Sequence, residues 1–175
     1  MRGHNFAFID IETTGLNVLE QEIIEVGCVL TTPELEVLEE FELKIKPEHI
    51  ENADPAALKV NHYHEKDWQK AIDIKKAIKI VAEKTKDCIM VGHNVSFDSA
   101  FLEYAFNKNG IENQMHFHKL DTVSMAWAKL HQEPDLEHFS LRELCLRFGI
   151  KNENAHTALS DARATYGLYK KLMSL

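Results

Sequence analysis

The sequence predicts an α/β fold in one domain over residues 1–175, a mixed central sheet of about five strands flanked by helices. Three observations lead there. The chain opens with a run of apolar, β-branched segments joined by short connections. The later part alternates helical patterns with short strand-like ones. No internal repeat, low-complexity stretch or linker rich in Pro, Gly or Ser divides the sequence.

Phe6 to Ile11 reads as a short buried strand. Thr13-Thr-Gly-Leu follows as a turn, with Gly15 supplying backbone freedom. Glu22 to Thr31 is apolar and β-branched and gives a second strand. Val37 to Ile45 alternates in part and gives a third, so an antiparallel meander is expected. Pro55 suits the first turn of a short helix. Glu65 to Lys86 contains a helix with apolar positions Trp68, Ala71, Ile72, Ile78 and Val81. Cys88 to Val91 is a buried strand, and His116 to Leu120 a further one. Ser96 to Asn107, Asp121 to Leu130, Ser140 to Phe148 and Ala155 to Leu172 read as helices, with Gly110 and Gly149 as stops. This order places the later strands parallel to the first, covered by helices.

Composition narrows the function classes. The apolar fraction is 45% and the charged fraction 27%, as in an ordinary globular domain. No apolar run approaches the roughly 20 residues that span a bilayer. The Met1-Arg-Gly-His-Asn start leads into an apolar stretch broken at once by Asp10 and Glu12, which is no signal peptide, so a cytoplasmic protein without a membrane partner is expected. Three cysteines lie among apolar residues without ligand spacing and read as reduced and buried. A net charge of −8 argues against coating long nucleic acid by charge alone, although carboxylates that bind cations add to that count.

The acids carry the chemistry. Asp10 and Glu12 stand two apart at a strand end and so share one face. Side by side they repel unless a cation joins them, though a solvated strand end is an equal reading of two acids. His93-Asn94-Val95-Ser96-Phe97-Asp98 follows the strand CIMV and opens a helix. Asn94 or Ser96 can cap that helix, and Asp98 is either a first-turn acid or a ligand. His156 to Arg163 contains Asp161 among small apolar residues, where an acid is costly without a partner.

Together, DIETTGL, HNVSFD and HTALSDA resemble the three exonuclease motifs of the DEDDh, or DnaQ-like, 3′–5′ exonucleases, over residues 6 to 169. The segment starting at Phe139 is similar to the piece before the third motif in bacterial polymerase proofreading domains. The resemblance implies an RNase H-like fold. It implies Asp10, Glu12, Asp98 and Asp161 as metal-binding acids, with His156 as the histidine of this subfamily. Two divalent cations, Mg²⁺ or Mn²⁺, fit oxygen ligands, and His156 suits proton removal from the attacking water. Thr13 and Thr14 are expected to contact the terminal nucleotide through their backbone, Leu16 to wedge against its base, and Asn94 and Phe97 to face the strand being degraded. His93 reads as structural, and Asp121 as the cap of the helix that follows.

The expected activity is 3′–5′ hydrolysis of single-stranded DNA or 3′ ends to nucleoside 5′-monophosphates. RNA or short oligoribonucleotides are the alternative substrate. Single-stranded 3′ ends are the implied partner, and a DNA polymerase or a replication or repair complex is a second. A non-catalytic module binding nucleic-acid ends is the competing class, and the presence of every acid counts against it.

Overall fold

The computed structural model describes residues 3–175, so the first two residues of the chain start read above, Met1-Arg2, lie outside them. Five strands form one sheet in the order β3-β2-β1-β4-β5. β1 (Phe6–Thr13), β2 (Ile23–Thr31) and β3 (Val37–Lys44) are antiparallel neighbours. β4 (Ile89–Gly92) and β5 (Lys119–Asp121) run parallel to β1 on its other side. The helices are α1 (Pro55–Val60), α2 (Ile74–Lys84), α3 (Val95–Asn109), α4 (Thr122–Leu130), α5 (Leu141–Phe148) and α6 (Ala158–Met173).

The two-residue period of β1 and β2 sorts the core into layers. Ala7, Ile9 and Ile11, with Val26, Cys28 and Leu30, face α2 and α3 and pack on Ala77, Ile78, Val81, Leu102 and Phe106. Phe8 and Val29 face the other way, onto Val91, Ala162 and Tyr169. Beyond them α4, α5 and α6 close a third cluster around Leu130, Leu144, Leu168 and Leu172. Asp10 and Glu12 belong to the Phe8 series, so β1 presents both acids on the side where α6 lies. β3 is an edge strand. Its exposed row is blunted by charge, with Glu39 paired to Lys84 and Glu40 to Arg163. All three cysteines are buried and free.

Three elements start elsewhere than the sequence predicts. Trp68 lies in a separate 3₁₀ turn, Glu65–Trp68. Ile72 pairs its backbone with Lys44 and Lys46, and α2 begins only after Asp73, whose carboxylate accepts from Lys76 N–H at 2.9 Å. β5 is shorter than His116 to Leu120 and shifted. His116 N–H still reaches Cys88 O, but His118 N–H turns to His116 Nδ1 and interrupts the ladder. α6 starts at Ala158 rather than Ala155, because His156 takes a positive φ of 67°, which no α-helix accepts.

Candidate active site

β1 and β4 pair from Phe6↔Ile89 to Phe8↔Val91 and no further. Beyond that point β1 continues to Glu12, while the chain after β4 turns into α3. Asn94 makes this turn in the left-handed region, at φ 66°. Neither Asn94 nor Ser96 caps α3. The Asn94 carboxamide oxygen instead accepts from Ser96 Oγ at 3.1 Å. The cap comes from Asp121, at the end of β5: its Oδ2 accepts from Val95 N–H at 2.7 Å and its Oδ1 from Ser124 N–H at 2.7 Å. One side chain thereby starts both α3 and α4. His93 Nδ1 lies 3.0 Å from Thr122 Oγ1, and burial lowers its pKa.

With α3 so placed, Asp98 reaches across to β1. Its Oδ1 accepts from Ile11 N–H at 3.0 Å, a donor that lies beyond the end of the β1–β4 ladder. Asp98 is 4% exposed, and burial pushes it up to about 7 even though the Ile11 N–H pulls the other way. Burial likewise pushes Glu12 up to about 8, with Asp161, Glu25 and Asp98 adding repulsion. Asp10 is raised well above the usual carboxylate range by burial, then by Asp98, Asp161, Glu12 and Glu25. Four acids from β1, α3 and α6 therefore lie near enough for their charges to repel one another.

Asp161 comes from the first turn of α6. Its Oδ1 accepts from Asn152 Nδ2 at 2.5 Å and its Oδ2 from His156 N–H at 3.0 Å. Asn152 in turn accepts from Ser160 Oγ at 2.7 Å. These bonds fold the loop before α6 back onto the helix and bring the exposed His156 ring to the acids. Ligand atoms of Glu12, His156 and Asp161 all lie within 4.8 Å of one another. This donor set, oxygen-rich and crowded with like charge, fits a hard divalent cation, since the cation removes the repulsion that otherwise favours protonated acids.

The turn after β1 is built by its threonines. Thr13 Oγ1 donates to Gly15 O at 2.7 Å, and Thr14 Oγ1 donates to Gln21 Oε1 at 2.7 Å. Asn61 Nδ2 donates to Thr13 O at 2.7 Å. The turn lifts Leu16 into solvent, 83% exposed, rather than burying it. Phe97 is half-buried and packs on Phe101 at 5.0 Å between ring centres. Three basic residues near the later helices are already engaged: Arg147 with Glu133 and Asp135, Lys119 with Glu103, and Lys151 with Glu153.

Three residues of the site escape sequence reasoning. Asn152 and Ser160 orient Asp161, and nothing in their local pattern marks them. Glu25 is a further buried acid, in register with Glu12, and the period-two rule finds it only once that register is known. Burial pushes it up to about 7, with repulsion from Glu42 adding to this and the Ala158 N–H opposing it.

The RNase_T family, described as Exonuclease, matches residues 7–169. The PolC-type DNA polymerase III of Caldanaerobacter subterraneus subsp. tengcongensis is 29% identical over 170 residues, covering 96% of this chain and 11% of the relative. That of Listeria innocua is 32% identical over 168 residues, again 96% of this chain and 11% of the relative. The chain thus spans only a small part of these relatives' length. Among solved structures, exonuclease I superposes with a TM-score of 0.87 at 20% identity, covering 98% of this chain and 41% of that one. E. coli exonuclease I in complex with a dT13 oligonucleotide gives 0.84 at 20% identity, over 98% and 41%. At such identity the likeness concerns the fold, a five-stranded mixed sheet between helices of the RNase H-like type. The chain belongs to the RNase_T exonuclease family and is a DnaQ-like exonuclease domain.

Proposed function

We propose that this domain is a DEDDh-type 3′–5′ exonuclease that hydrolyses the terminal phosphodiester of single-stranded DNA and releases nucleoside 5′-monophosphates. The observation that carries the proposal is the approach of Glu12, His156 and Asp161 to within 4.8 Å of one another, with Asp10 and Asp98 near enough for their charges to add repulsion. Packed so closely, the carboxylates favour the protonated state unless cations neutralise them. Asp10, Glu12, Asp98 and Asp161 would hold two divalent cations, Mg²⁺ or Mn²⁺. When bound, such ions stabilise charge on the attacking and leaving oxygens.

The chain's own residues do the rest. His156, exposed and beside Glu12 and Asp161, accepts the proton of the attacking water. Asp161 holds the backbone of His156 and so sets the position of its ring. Asp98 is fixed by Ile11 N–H, which leaves its second oxygen for a cation. Leu16, held out on the turn that Thr13 and Thr14 build, wedges against the terminal base. Phe97 and Asn94 border the path of the strand. The water attacks phosphorus in line, the P–O bond to the penultimate 3′ oxygen breaks, and that oxygen takes up a proton.

DNA is preferred over RNA as substrate because the relatives are DNA polymerases and a structural neighbour is complexed with a dT13 oligonucleotide. The same relatives make a polymerase or a replication or repair complex the proposed partner. Labelled single-stranded DNA and RNA of matched sequence, incubated with Mg²⁺, Mn²⁺ or chelator, test the proposal. Stepwise release of 5′-mononucleotides from the 3′ end of DNA, abolished by chelator, is expected. Intact substrates under every condition would refute it, and faster loss of RNA would reassign the substrate.

A further inference from the structure

We propose that Glu25 is a positioning residue, a brace from β2 that fixes the start of α6 and thereby sets His156 and Asp161 against Glu12. The inference deepens the exonuclease reading and rests on it for its catalytic consequence.

Glu25 is 2% exposed, deep inside the sheet, where an acid needs a reason to stand. Its Oε1 accepts from Ala158 N–H at 3.0 Å, across 133 positions of sequence. Ala158 is the first residue of α6, and its amide is one of the donors a helix start leaves without a helical partner. The residue in the capping position, Thr157, does not serve it, because its hydroxyl donates to Asn154 O at 2.9 Å. The helix has no side-chain cap of its own, and the strand supplies one.

The neighbour two positions along shows how close this docking is. Gly27 lies opposite Asp10, and a Cβ there would stand 2.1 Å from the Ala158 carbonyl carbon. Gly27 therefore lets the helix start touch the strand, and Glu25 fastens it there. In the ladder Glu25 is the partner of Glu12, and Gly27 the partner of Asp10. The two residues that seat α6 are thus the cross-strand partners of the two β1 acids. Asp161 sits in the first turn of that helix, and the His156 loop is tied to Asp161. A shift of α6 by a fraction of a hydrogen-bond length would carry both away from Glu12.

Since the brace needs an acceptor at a given reach, not a charge, Glu25→Gln and Glu25→Asp separate the roles. In the full chain, Glu25→Gln is expected to keep kcat within about threefold on a single-stranded oligonucleotide with Mg²⁺. Glu25→Asp, shorter by one methylene, is expected to fold and to lose roughly 10- to 100-fold in kcat, with KM within about twofold. In a His156→Ala background, Glu25→Asp should cost little more, since the two act through one arrangement. Hydrogen exchange gives an arm that needs no activity: the Ala158 amide should be protected in the parent and in Glu25→Gln, and exposed in Glu25→Asp. Loss of kcat in Glu25→Gln equal to or greater than that in Glu25→Asp would overturn the proposal, and loss confined to Glu25→Gln would point to the charge instead. An unchanged Ala158 amide in folded Glu25→Asp would overturn it too. An inactive parent with the expected exchange pattern would count against the exonuclease reading alone.

Discussion

The two halves of the site are held in different ways. Glu12 and Asp98 are buried on β1 and α3, Asp10 is half-buried on β1, and Asp98 is tied to a strand amide. His156 stands outside regular structure, exposed, with a left-handed backbone at φ 67°. Under the proposed function the two halves meet different demands. Groups that hold cations gain from rigid, dry surroundings, where electrostatic interactions are strong. A proton acceptor must exchange its proton with solvent, so it gains from exposure. The hydrogen bonds of Asp161 join the halves, since that residue is rooted in α6 and holds the loop.

The largest effect is expected on the rigid side. Asp10→Asn should lower kcat on the order of 10³-fold. It should leave the melting temperature of the metal-free protein at pH 8 unchanged or higher, because it removes one of several crowded charges. Activity assays and thermal melts on one preparation check both. On the exposed side, His156→Ala should cost about 10²-fold in kcat while sparing cation affinity, measured by Mn²⁺ titration calorimetry. Equal loss of affinity would place the histidine among the ligands instead.

A pH titration of stability sharpens the rigid half further. Glu12 moves from 4.5 to about 8, Asp98 from 3.8 to about 7 and Glu25 from 4.5 to about 7. All three are raised on folding, so the folded protein holds more protons than the unfolded chain between these limits. The associated stability is complete below about pH 4 and is lost as pH rises through 7 to 8. The metal-free protein should melt at least about 5 °C lower at pH 8.5 than at pH 5.5. Saturating Mg²⁺ should remove most of that difference. The smallest effect belongs to the turn. Leu16→Ala should raise KM for a single-stranded oligonucleotide several-fold, on the order of 1 kcal/mol, and leave kcat nearly unchanged.

Much of the scaffold was legible in the chain because burial writes itself into apolar runs. β1, β2 and β4 are such runs, and the period of β1 correctly put Asp10 and Glu12 on one face. The start of α6 was not legible. Ala155-His-Thr-Ala carries no helix breaker, and only the bond from His156 N–H to Asp161 shows that the backbone turns away there. The cap of α3 is hidden from the local sequence for a related reason. Asn94 and Ser96 stand at the right positions, but the acceptor arrives from Asp121, 26 positions downstream. Glu25 looked like one polar residue in a strand. Its role depends on a register and a helix contact that no local pattern encodes. The exposure of Leu16 is a property of the turn and not of leucine, so the sequence alone does not show it.

The bond from Ile11 N–H to Asp98 has a practical use. A main-chain amide resting on an ionisable oxygen is a natural sensor, since its proton resonance moves with whatever that oxygen binds. Following this one signal by NMR during a magnesium or pH titration would read the occupancy of the carboxylate without a label, a substrate or an altered side chain.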